Sequence, residues 1–248
     1  MSEIFARNEL YWGNEAQKIL ASKHAAIFGL GGVGGYCAET LARAGVGKLT
    51  IVDFDTVSKS NINRQIAALH STINLKKTDV TAKRLKDINP DLELIVIDDF
   101  YTNEDSILDG VDFAADAIDT LRAKISLLEN CYKKRIPVIS SMGAGNRIAP
   151  EKLYISDISE IENKNAPFIS NCIYQLKKLG IEKGITVVAS REKPYSKEKI
   201  QNTETVIKNS GEKLEFSKIT PASTPFVASC AGIFMASFIV RKFIEGIE

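Results

Sequence analysis

The residues with the most chemistry lie close together near the start of the chain. A glycine turn, GLGGVG at Gly29 to Gly34, is followed by an acidic VDFD at Val52 to Asp55 and by SNINRQ at Ser60 to Gln65. The turn follows an apolar run, Ala25 to Phe28, and opens an Ala-rich segment from Val33 to Ala44 that reads as a helix. Backbone N–H groups at the start of such a helix, together with its dipole, favour an anion. Glycines in this pattern serve NAD, FAD and ATP alike, and an acidic residue about twenty positions on, here Asp53, fits any adenosine ribose. Asn61, Arg64 and Lys77 separate the readings, because a dehydrogenase needs a hydride-acceptor pocket where this chain places an amide and two cations. A guanidinium fork and a lysine point charge suit the charge that grows on departing pyrophosphate, so the expected ligand is ATP. Asp116 and Asp119, in DAID, fall near the carboxyl end of a further strand, where open α/β sheets bind ligands. Asp119 is the candidate for holding Mg2+ between phosphates. Plainer uses exist for each: packing for the glycines, a solvated surface for the cations, an N-cap for Asp119 before a helix near Leu121, a turn cap for Asp55.

The elements that position these residues follow from periodicity. Strands are predicted at Ala25 to Gly29, Leu49 to Asp53, Leu92 to Asp98, Asp112 to Ile118 and Pro137 to Ser141, with helical stretches rich in Ala, Leu and Lys between them. Such alternation predicts an α/β fold, a doubly wound, Rossmann-like, mostly parallel sheet with helices on both faces. Beyond Gly143 the pattern predicts two short strands around Pro150, a helix over Pro167 to Leu179 ended by Gly180, and a strand at Ile185 to Ser190. Arg191 to Ser223 is polar and is expected to be a mobile crossover loop. Phe226 to Val240 carries no charge and falls short of the roughly twenty residues that span a bilayer. Its small residues suit a buried or interface helix, and membrane contact is not expected. The chain is read as one domain, residues 1–142 forming the nucleotide half and 143–248 a substrate-facing and dimerisation half.

Composition narrows the classes. At 248 residues with 44% hydrophobic content the chain can bury a sizeable core, and a net charge of +1 supplies no global field for nucleic acid or membrane. Cys37, Cys131, Cys172 and Cys230 are dispersed without a C-x-x-C pair, which argues against structural zinc and against a secreted disulfide framework. A reducing, cytoplasmic setting is expected, and the N-terminus lacks the layout of a signal peptide. Cys172 and Cys230, flanked by apolar residues, read as buried inert thiols. With only His24 and His70 present, a serine-histidine triad has little support; His24 reads as structural and His70 as lying beside the site.

The motifs GLGGVGG, AGVGKLTIVDFDTVSKSNINRQ, LKKTD, INP and DAIDT resemble the ATP-binding half of the ubiquitin-activating-enzyme-like superfamily, the ThiF/MoeB/HesA adenylyltransferases. GAGNRIAPEKLYISDIS, LKKLGI and PASTPFVASCAGIFMAS are most similar to one branch, the tRNA threonylcarbamoyladenosine dehydratases. The resemblance implies a homodimer that adenylates the threonine carboxylate of a modified adenosine next to the anticodon of tRNA and cyclises it with loss of AMP. It implies a nucleotide set of Gly29, Gly31, Gly32, Gly34, Asp53, Asp55, Asn61, Arg64, Lys77 and Asp119. Within that set Gly32 would lie on the α-phosphate, Asp53 on the ribose, Asn61, Arg64 and Lys77 on the phosphate chain, and Asp119 on magnesium. Arg7, in FARNELYWG, would reach into the neighbouring subunit's site, and with Arg64, Lys77 and Asp119 would complete the catalytic set. Lys177, Lys178, Lys183, Arg191, Lys193, Lys197 and Lys199 are candidates for tRNA phosphates, and Arg147 for the substrate. Two other readings stay open: adenylation of a ubiquitin-like sulfur carrier, and a nucleotide-binding module without turnover. Whether a sulfur-relay protein assists is also open.

Overall fold

The computed structural model describes residues 3–164, 166–198, 200–207 and 211–247. Its centre is a seven-stranded sheet in the order β3-β2-β1-β4-β5-β7-β6, with β1 at His24–Phe28, β2 at Lys48–Val52, β3 at Glu93–Ile97, β4 at Phe113–Asp116, β5 at Val138–Ser141, β6 at Leu153–Asp157 and β7 at Thr186–Ser190. All pairings are parallel except β6 with β7. The order reverses beside β1, so the crevice between β1 and β4 is the switch point where such sheets take ligands.

Alternation along β1 explains the two layers. Ala25 and Ile27 face one core with Leu41 of α2 (Gly34–Ala44), Leu85 of α3 (Lys77–Ile88) and Met235 of α6 (Pro225–Phe243). Ala26 and Phe28 face the other, with Leu127 of α4 (Leu121–Lys134) and Leu176 of α5 (Pro167–Lys178). A parallel sheet must be covered on both sides, and these helices cover it. α1 (Ala6–Ser22), which the periodicity did not reveal, kinks at Gly13 and buries only Ala16, Gln17 and Leu20.

Two expectations are corrected. Of the two short strands expected around Pro150 only β6 forms; residues 143–149 make a turn instead, because Gly143 and Asn146 take left-handed backbone (φ +80° and +61°) that breaks a strand. The expected mobile loop at 191–223 contains an antiparallel ribbon, β8 (Ile200–Ile207) paired with β9 (Lys213–Thr220). Its sequence is rich in β-branched residues, among them Thr203, Thr205, Val206 and Ile219, a strand propensity that polar composition concealed.

Helix α6 spans 19 residues, longer than the uncharged run, and is the one helix among the described residues long and apolar enough to cross a membrane. Its inner face packs on the sheet and on α2: a methyl on Gly232 would lie 2.2 Å from the Val33 carbonyl. That face is spent on the protein's own core.

Candidate active site

The carboxyl ends of β1, β2 and β4 open onto a cavity of about 640 Å³. Its floor starts at the glycine turn. Gly29 N–H donates to Val52 O at 2.8 Å and has φ +89°, and a side chain there would meet Ala117 O at 2.9 Å. Gly31 and Gly32 line the cavity, and no side chain caps the start of α2. Gly34 does something different. It is not among the lining residues, and a Cβ there would lie 1.7 Å from Gly29 O, so Gly34 lets α2 seat against the strand.

Asp53 follows β2 and is 8% exposed. Its carboxylate accepts the N–H of Leu30 (2.6 Å) and of Asp55 (2.8 Å), tying the acidic segment to the glycine turn. Burial pushes its pKa up from the ordinary carboxylate value, with the Lys77 ammonium opposing. Lys77 reaches the site because residues around Thr56 and Lys76 bridge antiparallel and Lys77 N–H donates to Asp55 O at 2.9 Å. Lys77 is 4% exposed, and its Nζ donates to Asp55 Oδ2 at 2.6 Å. The expected turn-capping role for Asp55 is therefore replaced by this ion pair.

Asn61 and Arg64 come from the turn after Ser58. Asn61 Oδ1 accepts Ser58 N–H at 3.1 Å. Arg64 is half-buried and commits one terminal nitrogen, Nη1, to Ser60 O (2.8 Å) and Asn63 Oδ1 (3.0 Å). Burial lowers its pKa while the nearby Asp119 carboxylate raises it, which places the two charges in each other's field across the cavity. Thr120, not Asp119, precedes α4 as the N-cap, with no side-chain cap bond. The structure separates Asp119 from Asp116: Asp119 lines the cavity, whereas Asp116 is fully buried and pairs with Lys124 Nζ at 2.5 Å and with the Ser140 hydroxyl at 2.5 Å.

Gln65 lines the cavity at 7% exposure, and its Oε1 finds no hydrogen-bond partner among the described residues, an acceptor left for a ligand's hydroxyl or amine. The sequence reading quoted Gln65 inside SNINRQ without assigning it a role. Tyr101, Phe100 and Phe54 line the same space, with Phe54 and Phe100 edge to face at 4.9 Å. Nothing in their spacing announced this, since Phe54 follows β2 while Phe100 and Tyr101 follow β3. The cavity fits a nucleoside triphosphate by chemistry: buried cation, half-buried guanidinium, orphaned acceptor, and glycines where backbone must approach phosphate.

Other expected residues fall elsewhere. Arg7 lies exposed on α1 and does not line this cavity. His70 is exposed on the turn His70–Thr72 and is likewise outside the lining. His24 Nδ1 meets Gly110 O (2.9 Å) and Nε2 meets Thr50 Oγ1 (2.8 Å), a structural role; burial lowers its pKa. Cys172 is buried and pushed up to about 11, as an inert thiol would be, but Cys230 is only partly buried. Arg147 is 6% exposed and donates to the carbonyls of Gly143, Gly145 and Glu192.

The basic cluster divides. Lys177, Lys178 and Lys183 precede β7 and so lie at the amino-terminal edge of the parallel strands, away from the cavity, while Arg191, Lys193 and Lys197 follow β7 on the cavity's side. Lys199 lies outside the described residues.

Comparison with known proteins agrees with this fold. A model of the ThiF family matches residues 5–222. The chain is 40% identical over 251 residues to the tRNA threonylcarbamoyladenosine dehydratase of Bacillus subtilis, covering 100% of this chain and 97% of the relative. It is 38% identical to the Escherichia coli enzyme of that name over 153 residues, covering 60% of this chain and 57% of that one. The solved structure of the E. coli tRNA N6-threonylcarbamoyladenosine dehydratase in complex with ATP superposes with a TM-score of 0.85 at 28% identity, over 98% of this chain and 94% of that chain. The chain therefore belongs to the ThiF family, in its tRNA threonylcarbamoyladenosine dehydratase branch.

Proposed function

We propose that this chain is an ATP-dependent tRNA threonylcarbamoyladenosine dehydratase. The observation that carries the reading is the convergence of Arg64, Lys77 and Asp119 on one cavity with the glycine turn, in a chain that aligns along its whole length with such an enzyme. Carboxylates are poor electrophiles. Joining one to AMP supplies a leaving group without a protein nucleophile, so the protein's work is positioning and charge stabilisation.

Each residue then has a task. The Gly31–Gly32 backbone lies against the α-phosphate. Asp53, with two lone-pair sites occupied by backbone N–H groups, offers its remaining capacity to the ribose hydroxyls, and Gln65 Oε1 takes a further donor. Arg64, Lys77 and Asn61 hold the phosphate chain as a carboxylate oxygen of the substrate attacks the α-phosphorus and pyrophosphate departs. Cyclisation of the activated acyl group then expels AMP, and water is lost overall. Asp119 would hold Mg2+, which when bound neutralises charge between phosphates. One carboxylate suffices, because magnesium keeps waters and shares phosphate oxygens. No cluster of three or more His, Cys, Asp or Glu suited to a metal occurs among the described residues.

The acting unit is a homodimer in which Arg7 completes the partner's site. Arg7 sits outside its own cavity, beside Leu10 and Tyr11, which are 82% and 88% exposed and suit burial against a second copy. Arg191, Lys193 and Lys197 are the candidates for tRNA phosphates, and the setting is cytoplasmic. Mass spectrometry of anticodon-loop nucleosides from cells lacking the protein tests the function. The open-chain modified adenosine should replace the cyclic form. Persistence of the cyclic form, or pyrophosphate exchange only with a carrier protein ending in Gly-Gly, would sink the proposal.

A further inference from the structure

The turn after β5 and the segment leaving β9 meet at the cavity. Gly145 from the turn and Thr220, Pro221 and Ser223 from the returning segment all line it. The turn is braced from within: the buried Arg147 guanidinium donates to the carbonyls of Gly143 and Gly145. Asn146 projects the other way. Its N–H donates to Ala222 O at 2.7 Å, and its side-chain Oδ1 accepts Ala222 N–H at 2.8 Å. One residue thus exchanges two hydrogen bonds with the strap, as a strand pair would, although its own backbone is left-handed. Asn is one of the few side-chain-bearing residues that adopt this conformation readily. Gly145 packs so closely on the strap that a Cβ would fall 2.6 Å from Pro221 Cβ. Asn63 Nδ2 donates to Ser223 O at 2.9 Å, and the Thr224 hydroxyl donates to Arg147 O at 3.1 Å.

We propose that Asn146 is a positioning residue, whose two-way bond to Ala222 holds residues 220–223 as the wall of the cavity that the second substrate meets. The inference rests on the adenylation reading and adds a residue to it. The groups assigned to the nucleotide, from the glycine turn to Asp119, come from the first half of the chain. The wall made by Gly145, Thr220, Pro221 and Ser223 comes from the second. Loosening the clamp therefore acts first on the acceptor's side, and reaches the nucleotide's side only through Asn63, which bonds both Ser223 O and Arg64 Nη1.

The test compares three variants. Asn146→Ala removes the acceptor and disfavours the turn; Asn146→Gly keeps the turn and removes only the acceptor; Asn146→Asp keeps both. Asn146→Gly is expected to lower kcat/KM for modified tRNA about tenfold, the worth of one hydrogen bond, with the ATP Kd of acceptor-free enzyme within about twofold of wild type. Asn146→Asp should restore activity, and an unchanged ATP Kd with unchanged Tm in Asn146→Gly separates positioning from loss of folded enzyme. Wild-type kcat/KM in Asn146→Gly, or loss of ATP affinity in the same proportion, overturns the positioning role. A wild-type enzyme inert on tRNA would instead defeat the functional reading. Hydrogen exchange at the Ala222 amide would still decide the clamp: faster exchange in Asn146→Gly supports it, and unchanged exchange rejects it.

Discussion

Arg64 and Lys77 show how two cations of one site can be held by different means. Lys77 is the first residue of α3, nearly enclosed and paired with Asp55, so its charge is part of the fold. Removing it would leave Asp53 and Asp55 without their cation and would disturb structure together with chemistry. Arg64 is half-buried and anchored mainly to its own turn, which makes it the cleaner probe. Arg64→Ala is expected to lower kcat/KM by about 10²- to 10³-fold, the usual cost of one preorganised charge-stabilising donor, with little change in Tm. Arg64→Lys should recover only part, because an ammonium lacks the planar fork. Steady-state kinetics beside thermal unfolding decides it; wild-type turnover in the alanine variant would remove Arg64 from the catalytic set.

Between elements, the ion pair under the site matters more than any exposed bridge. Asp116 at the end of β4, Lys124 in the first turn of α4 and Ser140 in β5 are all without solvent exposure. Lys124 Nζ lies 3.0 Å from Ser140 Oγ, and Asp116 Oδ1 accepts the Ile118 N–H at 3.1 Å. The network thereby joins three elements directly beneath the loop that carries Asp119. Charges out of water are costly unless paired, and a pair stripped of one member costs more than the pair is worth. Lys124→Met is therefore expected to destabilise the fold by about 3–5 kcal/mol in urea unfolding, and the double change Asp116→Asn with Lys124→Met to recover much of that. Equal losses in the single and double variants would show that burial of the charge is not the cause.

At the scale of the whole molecule, a single chain leaves Arg7 without a role. Arg7→Ala and Arg64→Ala each spoil a different part of the same composite site if Arg7 acts across a dimer. Co-expressed with two affinity tags and purified through both, the heterodimer should contain one intact site and regain about half of wild-type activity, as two-fold symmetry requires. Two variants that stay inactive together would place Arg7 and Arg64 in the same site of one chain, and an active Arg7→Ala homodimer would place Arg7 in none.

The alternation of apolar strands and helices was legible because a buried parallel strand is a short apolar run, and runs such as Ala25 to Phe28 announce themselves. Gly29, Gly31, Gly32, Asp53, Asn61, Arg64, Lys77 and Asp119 could be chosen for a related reason: phosphate chemistry would restrict residue type and spacing, and the fold brings these positions to one cavity. Other features depend on neighbours far away in the chain. Asp116 and Asp119 look alike in DAID, and only the approach of Lys124 and Ser140 makes one a buried anchor and leaves the other on the cavity. Gly34 resembles its cavity-lining neighbours until the Gly29 carbonyl is seen against it. The lysines near 177–183 form one cluster with Arg191 in sequence, yet the direction of β7 sends them to the far edge of the sheet. Local sequence determined which chemistry was available; the tertiary fold decided which side chains share it, because burial and direction are set by contacts between segments that no local pattern encodes.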